Sequence, residues 1–425
     1  IKENSFIYTT ENKTAELILT VTDPDGNPVT KVNGLEYVTV NGISGFDVTD
    51  KSGLFTIVDN HEIVSTGTKI ENWNVVLTLV NLDSDQSQNA GNGLKAVLEI
   101  TKESKSKDSL LADLCNGKTL SDCVKLQYTG TQGENNLYLH DSTLKNGAGD
   151  GSYRYAGSSD TTNNFVCFGY DSTDGSCPDD YLYRMIGSFD DQVKLIKYDY
   201  AKASLLGIDG DYNYTYVDYE KEVNETYGTN KGTNSKSEIG TYSWNNSAGD
   251  SSTNLWSDSR LNKVNLNTNY LNNIGEKWSS KIANHTWKVG GNTWNKIGDM
   301  SASGAYQNEI VSPATNLTYA AKVGLMYVSD YGYAAASSAW TTSLTDYEDS
   351  TVLEANWMYM GLMEKTLTPE PQVYSSASTL YLNFMGGIDS EDVKSTEAIR
   401  PVIYLDKTVR YSNGEGTISA PILIK

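Results

Sequence analysis

Trp256-Ser257-Asp258-Ser259-Arg260-Leu261-Asn262, running on to Leu266-Asn267 and Tyr270-Leu271, is the stretch on which the reading of this chain turns. From its end, Tyr270, Ile274, Trp278 and Ile282 recur every four residues, the spacing that lines one face of a helix. Gly275 lies inside that pattern and weakens the helix without having to end it. Working outward, Val193-Lys194-Leu195-Ile196-Lys197-Tyr198 follows Tyr183-Arg184-Met185-Ile186-Gly187, and the two read as paired strands. Gly324-Leu325-Met326-Tyr327-Val328 and the run from Ile399 to Leu405 read as buried strands. Between them the chain is polar and loop-rich, and long loops are often functional.

At 425 residues the chain is too long for one ordinary domain and suits two. Its 54 acids against 33 bases give a net charge of -21. That balance argues against nucleic acid and anionic membranes as partners, since both are held by clustered Lys and Arg. The 29 Tyr beside only 7 Phe, with abundant Asn, Ser, Thr and Gly, suit strands joined by turns. The same residues make up binding loops, where Tyr gives large contact area at low entropic cost. No apolar run is long enough to span a bilayer, so the expectation is an ectodomain whose anchor lies outside this chain.

Residues 1–104 read as an all-β domain. Ala15, Leu17, Leu19 and Val21 alternate with Glu16, Ile18, Thr20 and Thr22; Trp73, Val75, Leu77 and Leu79 alternate likewise, as do Ala96, Leu98 and Ile100. Asp25-Gly26-Asn27-Pro28, Asn33-Gly34, Asn41-Gly42 and Ala90-Gly91-Asn92-Gly93 are turn sequences. Short strands with regular turns indicate a β-sandwich. Residues 105–124 read as a charged linker with a short helix over Ser109–Leu114, N-capped by Asp108, and residues 125–425 as the second domain.

The four cysteines form two local pairs, Cys115 with Cys123 and Cys167 with Cys177. Neither spacing is CxxC and no paired histidines complete a zinc set, so two small-loop disulfides and an oxidising compartment are expected, against four free thiols.

The Trp256-to-Leu271 stretch resembles a signature of Gram-positive bacterial surface domains of unknown function, together with Leu182-to-Gly187, Gly324-to-Ser329, Trp357-Met358 and the closing Ala398-Ile399-Arg400-Pro401-Val402-Ile403-Tyr404-Leu405. Their fold is similar to C-type lectins and sulfatase-modifying-factor domains. The resemblance implies a mainly β head with a few helices that presents loops to a partner. Trp73-to-Gln86 resembles a strand of the small sandwich domains of camelysin and spore-coat-associated fibre proteins, which implies a stalk or assembly role for residues 1–104. Two departures matter. The enzymatic branch of the lectin-like fold works through C-terminal cysteines, and here all four lie earlier. Calcium-dependent lectins use a Trp-Asn-Asp run and a Glu-Pro-Asn loop, where this chain has Trp244-Asn245-Asn246 and Glu370-Pro371-Gln372.

Sites for chemistry are sparse. His61, His140 and His285 are far apart, and no HExxH or nucleophile elbow occurs. Asp209-Gly210-Asp211-Tyr212-Asn213 and Asp23-Pro24-Asp25-Gly26-Asn27 have D-x-D-x-N spacing but neither completes an EF-type loop, so β-turns are the better reading. Asp171, Asp174, Asp179 and Asp180 around Cys177 make a third weak calcium candidate. Asp190-Asp191 is a carboxylate pair of the kind glycosidases use, and a chain this acidic also produces such pairs by chance.

The segment from Ala339 to Phe384 is the candidate binding face. Trp340, Tyr347, Tyr359, Tyr374 and Tyr381 stand among Glu364 and Asn383, aromatic anchors in polar sequence, with Trp340 and Tyr374 expected to be exposed and Trp357 or Met358 to be core. The leading expectation is therefore a non-enzymatic surface or secreted binding protein, an adhesin whose lectin-like head contacts a protein or glycan on a host or neighbouring cell. No cofactor is expected beyond a possible calcium ion. The alternatives are a pilus- or fibre-like homo-polymer in which Ser5-Phe6-Ile7-Tyr8-Thr9-Thr10 is a donated strand, and a carbohydrate-active enzyme.

Overall fold

The computed structural model describes residues 1–53, 55–58, 72–96, 107–172, 175–208, 213–215, 238–245, 253–292, 300–370 and 377–425. His61, Tyr374, Leu98, Ile100, Asp174 and the run 209–212 lie outside them. The chain divides into two compact units, Ile1–Lys105 and Ser106–Lys425. It is mainly β, with short helices.

In the first unit Tyr37–Val40, Ile43–Asp47, Leu17–Thr22 and Asn74–Leu79 form a four-stranded antiparallel sheet in that order. Asn41-Gly42 turns the first hairpin with positive φ at both residues (46° and 81°), which the Asn-Gly pair tolerates. Ala15, Ile18, Val80 and Leu82 make its core. A buried carboxylate organises the rest. Glu16 accepts from Thr9 N (2.6 Å), Gln86 Nε2 (2.8 Å) and Asn89 Nδ2 (2.7 Å), tying the N-terminal flank and the 86–89 turn to one strand. The flank is thus engaged within its own unit: Glu3–Asn4 pairs with Leu94–Lys95, Ser5 N bonds Gly93 O, and Tyr8 OH bonds Asp47 Oδ2. In this structure the segment named as a candidate donated strand bonds within its own unit, through Ser5, Ile7, Tyr8 and Thr9. Asn74–Leu79 forms a strand as expected, but Val75, Leu77 and Leu79, expected as its buried face, are exposed together with Val76. Alternation shows a strand; which side another layer covers depends on tertiary structure.

The second unit has two main sheets. One runs Val323–Gly324, Val402–Tyr404, Gln192–Lys197, Leu182–Phe189, Ser152–Tyr155, Leu137–His140, with Phe165–Cys167 also pairing Leu182–Phe189. The other runs Asn213–Thr215, Gly240–Ser243, Thr396–Ala398, Glu364–Glu370, Ser378–Leu382, Ile388–Asp392. The closing motif joins them. Thr396–Ala398 belongs to one sheet and Val402–Tyr404 to the other, and Ile399-Arg400-Pro401 makes the crossing. Arg400 holds it by donating Nε to Glu364 Oε1 (2.9 Å) and Nη2 to Glu364 Oε2 (2.8 Å) and to Met358 O (2.6 Å), all buried.

The opening stretch is scaffold. Trp256 is buried against Trp244, with ring centroids 5.0 Å apart. Ser259 Oγ donates to Trp244 O and Asn262 Nδ2 to Trp256 O. Asn265 Nδ2 donates to Leu206 O, and Asn267 exchanges two hydrogen bonds with the backbone of Val323. Leu261, Leu266 and Tyr270 enter the core, and Tyr270 OH meets Tyr183 OH at 2.7 Å. The helix itself differs from the expectation. It spans Leu261–Tyr270 with π-type turns, continues over Leu271–Ile274 and stops at Gly275, whose φ of 79° is left-handed. Likewise only Val323–Gly324 is strand in the run expected to be strand through Val328. Tyr327 caps a buried helix, Val328–Ala334, whose Asp330 carboxylate accepts from Tyr327 N.

Both expected disulfides form, Cys115–Cys123 and Cys167–Cys177, and they fit an oxidising compartment. The segment expected to link the domains is instead built into the second unit from residue 107 onward. Lys107–Cys115 and Leu120–Leu126 are helices; Leu111, Cys115, Leu120, Cys123 and Val124 are core, and Leu120 N donates to Val409 O. Among the described residues no helix is long and apolar enough to cross a membrane.

Candidate functional site

The described aromatics of the 339–384 segment are packing residues; Tyr374 lies outside the described residues. Trp340 is 1% exposed, its ring within 5.0–5.4 Å of Tyr138, His140 and Tyr333 and its Nε1 donating to Ala335 O at 2.9 Å. Tyr347 is buried with its hydroxyl 3.0 and 3.2 Å from the carbonyls of Gly332 and Ala339. Tyr359 donates to Phe384 O, and Tyr381 lies at the edge of the core. Glu364 is the partner of Arg400. Asn383 closes the turn after Ser378–Leu382, accepting from Met385 N and Gly387 N and donating to Glu348 Oε1. The expectation that Trp340 is exposed is therefore corrected, and Trp357 and Met358 are core as expected. The physical reason is that Trp and Tyr bury a large ring and still satisfy a loop carbonyl with one polar tip.

Solvent-facing aromatics occur elsewhere, on the loop closed by Cys167–Cys177. Tyr170 and Tyr181 are 39% and 37% exposed, and their rings lie 5.4 Å apart at 33°. The geometry is built from the backbone up. Phe168 N donates to Tyr181 O, bringing the two arms of the loop together. Gly169, with φ of 99°, carries no side chain where a Cβ would stand 2.9 Å from the Tyr181 ring. A cleft of about 80 Å³ opens beside the pair, between Tyr170–Ser172, Trp278, Ser412 and Leu423–Ile424. Lys277 Nζ pairs with both carboxylate oxygens of Asp171 (2.5 and 2.6 Å), which leaves that acid committed. The site thus offers two aromatic faces, hydroxyls and a charged rim. Sequence reasoning missed it because Tyr170 and Tyr181 were two tyrosines among 29; the usable signal was their position inside and beside a short disulfide loop.

Of the carboxylates weighed as calcium ligands, Asp171, Asp180 and Asp23 have other partners. Asp180 pairs with Lys202, and Asp23 Oδ1 accepts from Asp25 N and Asn27 N as a turn residue. Among the described residues no group of three His, Cys, Asp or Glu is arranged to hold a metal. Asp190-Asp191 is the two-residue hairpin between Leu182–Phe189 and Gln192–Lys197, with Asp191 bonded to Lys125.

Several further titratable groups are largely internal. Lys194 Nζ meets Asp330 Oδ2 at 2.5 Å inside a cage of Phe189, Trp287, Tyr327 and Tyr404 rings, 4.6–5.7 Å from the ammonium. Glu309 accepts from Val328 N and Ser329 N at the start of the buried helix, and burial pushes its carboxyl up to about 7. Arg154 pairs with Asp150 and lies over the rings of Phe189, Tyr306 and Tyr333. His140 accepts from Ala148 N through Nδ1, and burial holds its pKa well below the ordinary value. His285 stacks on Tyr404 at 3.7 Å, its pKa held at about 4 by burial. Lys194, Glu309 and Arg154 are closed in by rings and backbone, and their partners account for them as internal braces. Comparison with known protein families, curated proteins and solved structures finds no match.

Proposed function

We propose that this chain is an extracellular binding protein of the cell surface or secreted space, whose second unit is a C-type-lectin-like head recognising a protein or glycan partner without catalysis. The observation that carries the reading is the exposed Tyr170–Tyr181 pair beside a cleft on a disulfide-closed loop, because paired aromatic faces outside the core supply contact area that folding does not use. The two disulfides support the extracellular setting. The recognition surface moves from the 339–384 segment to this loop. The test is binding of the intact chain to a glycan array and to whole cells, with Tyr170→Ala and Tyr181→Ala alongside. Loss of binding in the two variants, with unchanged melting, supports the reading. Binding that both variants retain refutes this surface, and no binding to either support refutes the lectin-like reading.

A second reading, self-assembly, has one observation in its favour. Asn74–Leu79 is at the end of its sheet among the described residues and exposes Val75, Val76, Leu77 and Leu79. Sedimentation across a concentration series tests it: polymers that vanish on Val76→Lys support assembly, and a monomer throughout refutes it.

A further inference from the structure

One face of the six-stranded sheet carries a buried cluster that the function above does not use. Lys365 opposes Tyr381, Thr379 opposes Glu391, and Glu364 pairs in parallel with Ala398. Partners in register share a face and neighbours alternate, so Lys365, Thr379, Glu391 and Glu397 project to the same side. Lys365 Nζ makes an ion-pair contact with Glu397 Oε2, with side chains 0% and 2% exposed. Neither atom has a partner in hydrogen-bond geometry, and Thr379 Oγ1 and Glu391 Oε2 are also buried and unpartnered.

The two other fully buried ion pairs among the described residues are different. Arg400 and Glu364 share three hydrogen bonds, and Asp330 receives both Lys194 and a backbone N–H. At Lys365 an ammonium with three protons faces one oxygen in poor geometry. A buried pair with unmet donors is costly, because desolvation is not repaid. A secondary amide in the same place has one N–H and one C=O, a demand that Thr379 Oγ1, Glu391 Oε2 and the hydroxyl proton of Thr379 can meet.

We propose that Lys365 and Glu397 are joined by an amide bond, formed by condensation of Lys365 Nζ with Glu397 Cδ, with Glu391 carrying the proton. In the closed pocket the ammonium passes a proton to the Glu397 carboxylate, giving a neutral amine and a neutral carboxyl. The amine attacks Cδ. Glu391 takes a proton from the nitrogen of the adduct and delivers it to the departing hydroxyl. The Cδ–O bond breaks, water leaves, and the Nζ–Cδ bond remains. One ammonium and one carboxylate become one amide and one water, Glu391 is restored, and nothing is oxidised or reduced. The two carboxyls suit these roles. Burial, the largest influence, pushes Glu397 up to about 8. Burial acts on Glu391 as well, but the neighbouring polar groups of Glu397 and Ser395 and the charge of Lys365 outweigh it and hold that carboxyl below its ordinary value. The bond would tie Glu364–Glu370 to Thr396–Ala398 covalently across the sheet.

The test is the intact mass of the full chain, reduced and denatured. The expected mass is that of the sequence less one water molecule. Tryptic digestion is expected to spare Lys365 and to yield a branched peptide holding residues 365 and 397. Lys365→Met and Glu391→Gln are both expected to show the full mass, whether or not they fold as well. A wild-type chain of full mass overturns the proposal. So does a water loss that persists in Lys365→Met or maps to an Asp-Gly site such as Asp25-Gly26. Condensation undiminished in Glu391→Gln refutes the role given to that carboxylate.

Discussion

Replacing Trp340 with alanine separates packing from recognition. The ring is enclosed by Tyr138, His140 and Tyr333, and Nε1 satisfies the Ala335 carbonyl. Truncating a buried Trp costs about 3–5 kcal/mol through lost transfer energy and the cavity left behind. The orphaned Ala335 carbonyl adds roughly 1 kcal/mol or more. His140 Nε2 already lacks a partner, so the emptied space borders a second unmet polar atom. The sum, about 4–6 kcal/mol, is a large share of a domain's net stability. For a unit of this size it corresponds to a fall in melting temperature of roughly 5–10 °C. Calorimetry or circular dichroism on the variant measures it, and urea titration confirms that the slope is unchanged. Tyr170→Ala is the matched control: with its ring at the surface, its melting temperature is expected to stay close to wild type. A Trp340→Ala chain that melts with the wild type refutes the packing described here and returns the 339–384 segment to the list of binding faces.

Three further outcomes are expected. Gly169→Ala introduces a Cβ against the Tyr181 ring at a left-handed position, so it is expected to displace that ring and weaken partner binding at least tenfold, read by titration calorimetry; unchanged affinity refutes the tyrosine pair as the contact. Replacing Cys115 and Cys123 together with alanine opens a short loop whose helices are core, and is expected to cost the second unit about 2–3 kcal/mol in urea unfolding; an unchanged midpoint refutes that contribution. Two carboxyls give opposite pH signatures. Glu309 has a folded pKa raised to about 7, so its contribution to stability is fully present below the unfolded value and is lost as pH rises through about 7, by about 3 kcal/mol. Glu16 has a folded pKa below its ordinary value, because its hydrogen bonds outweigh the opposing effect of burial; its contribution is present above the unfolded value and is lost as pH falls through the folded one. Unfolding of wild type against Glu309→Gln and Glu16→Gln across pH isolates each slope, and parallel profiles refute the assignment.

Much of the fold was legible because it rests on local rules. The paired strands at 182–189 and 192–197, the Asn41-Gly42 hairpin and both disulfides follow from alternation, turn chemistry and spacing. Two local readings failed where a backbone detail overrode periodicity. Gly275 takes a left-handed φ and ends a helix that the apolar spacing would continue, and Tyr327 begins a helix inside an apolar run that reads as strand. The candidate site was less legible, because exposure is a tertiary property. Residue type and polar surroundings do not distinguish Trp340, which is sealed, from Tyr170, which is open; only the short disulfide loop around Tyr170 sets it apart.

The composition shows why that ambiguity arises. A unit rich in loops has many backbone carbonyls that no strand or helix satisfies, and burying them requires donors. Trp244, Trp287, Trp340 and Trp357 each donate Nε1 to a backbone carbonyl. Tyr200, Tyr242, Tyr331 and Tyr411 do the same through their hydroxyls. Asn164, Asn262, Asn265 and Asn269 do so through their amides. Phe offers no such donor, which gives a physical reason for 29 Tyr beside 7 Phe. The Tyr- and Asn-rich sequence that resembles a binding loop is here the means by which buried carbonyls of strands, helix ends and loops are satisfied. The proposed recognition surface draws on aromatics that this scaffold leaves at the surface: the Tyr170 and Tyr181 rings lie 5.4 Å apart, tilted at 33°, outside the core those donors build.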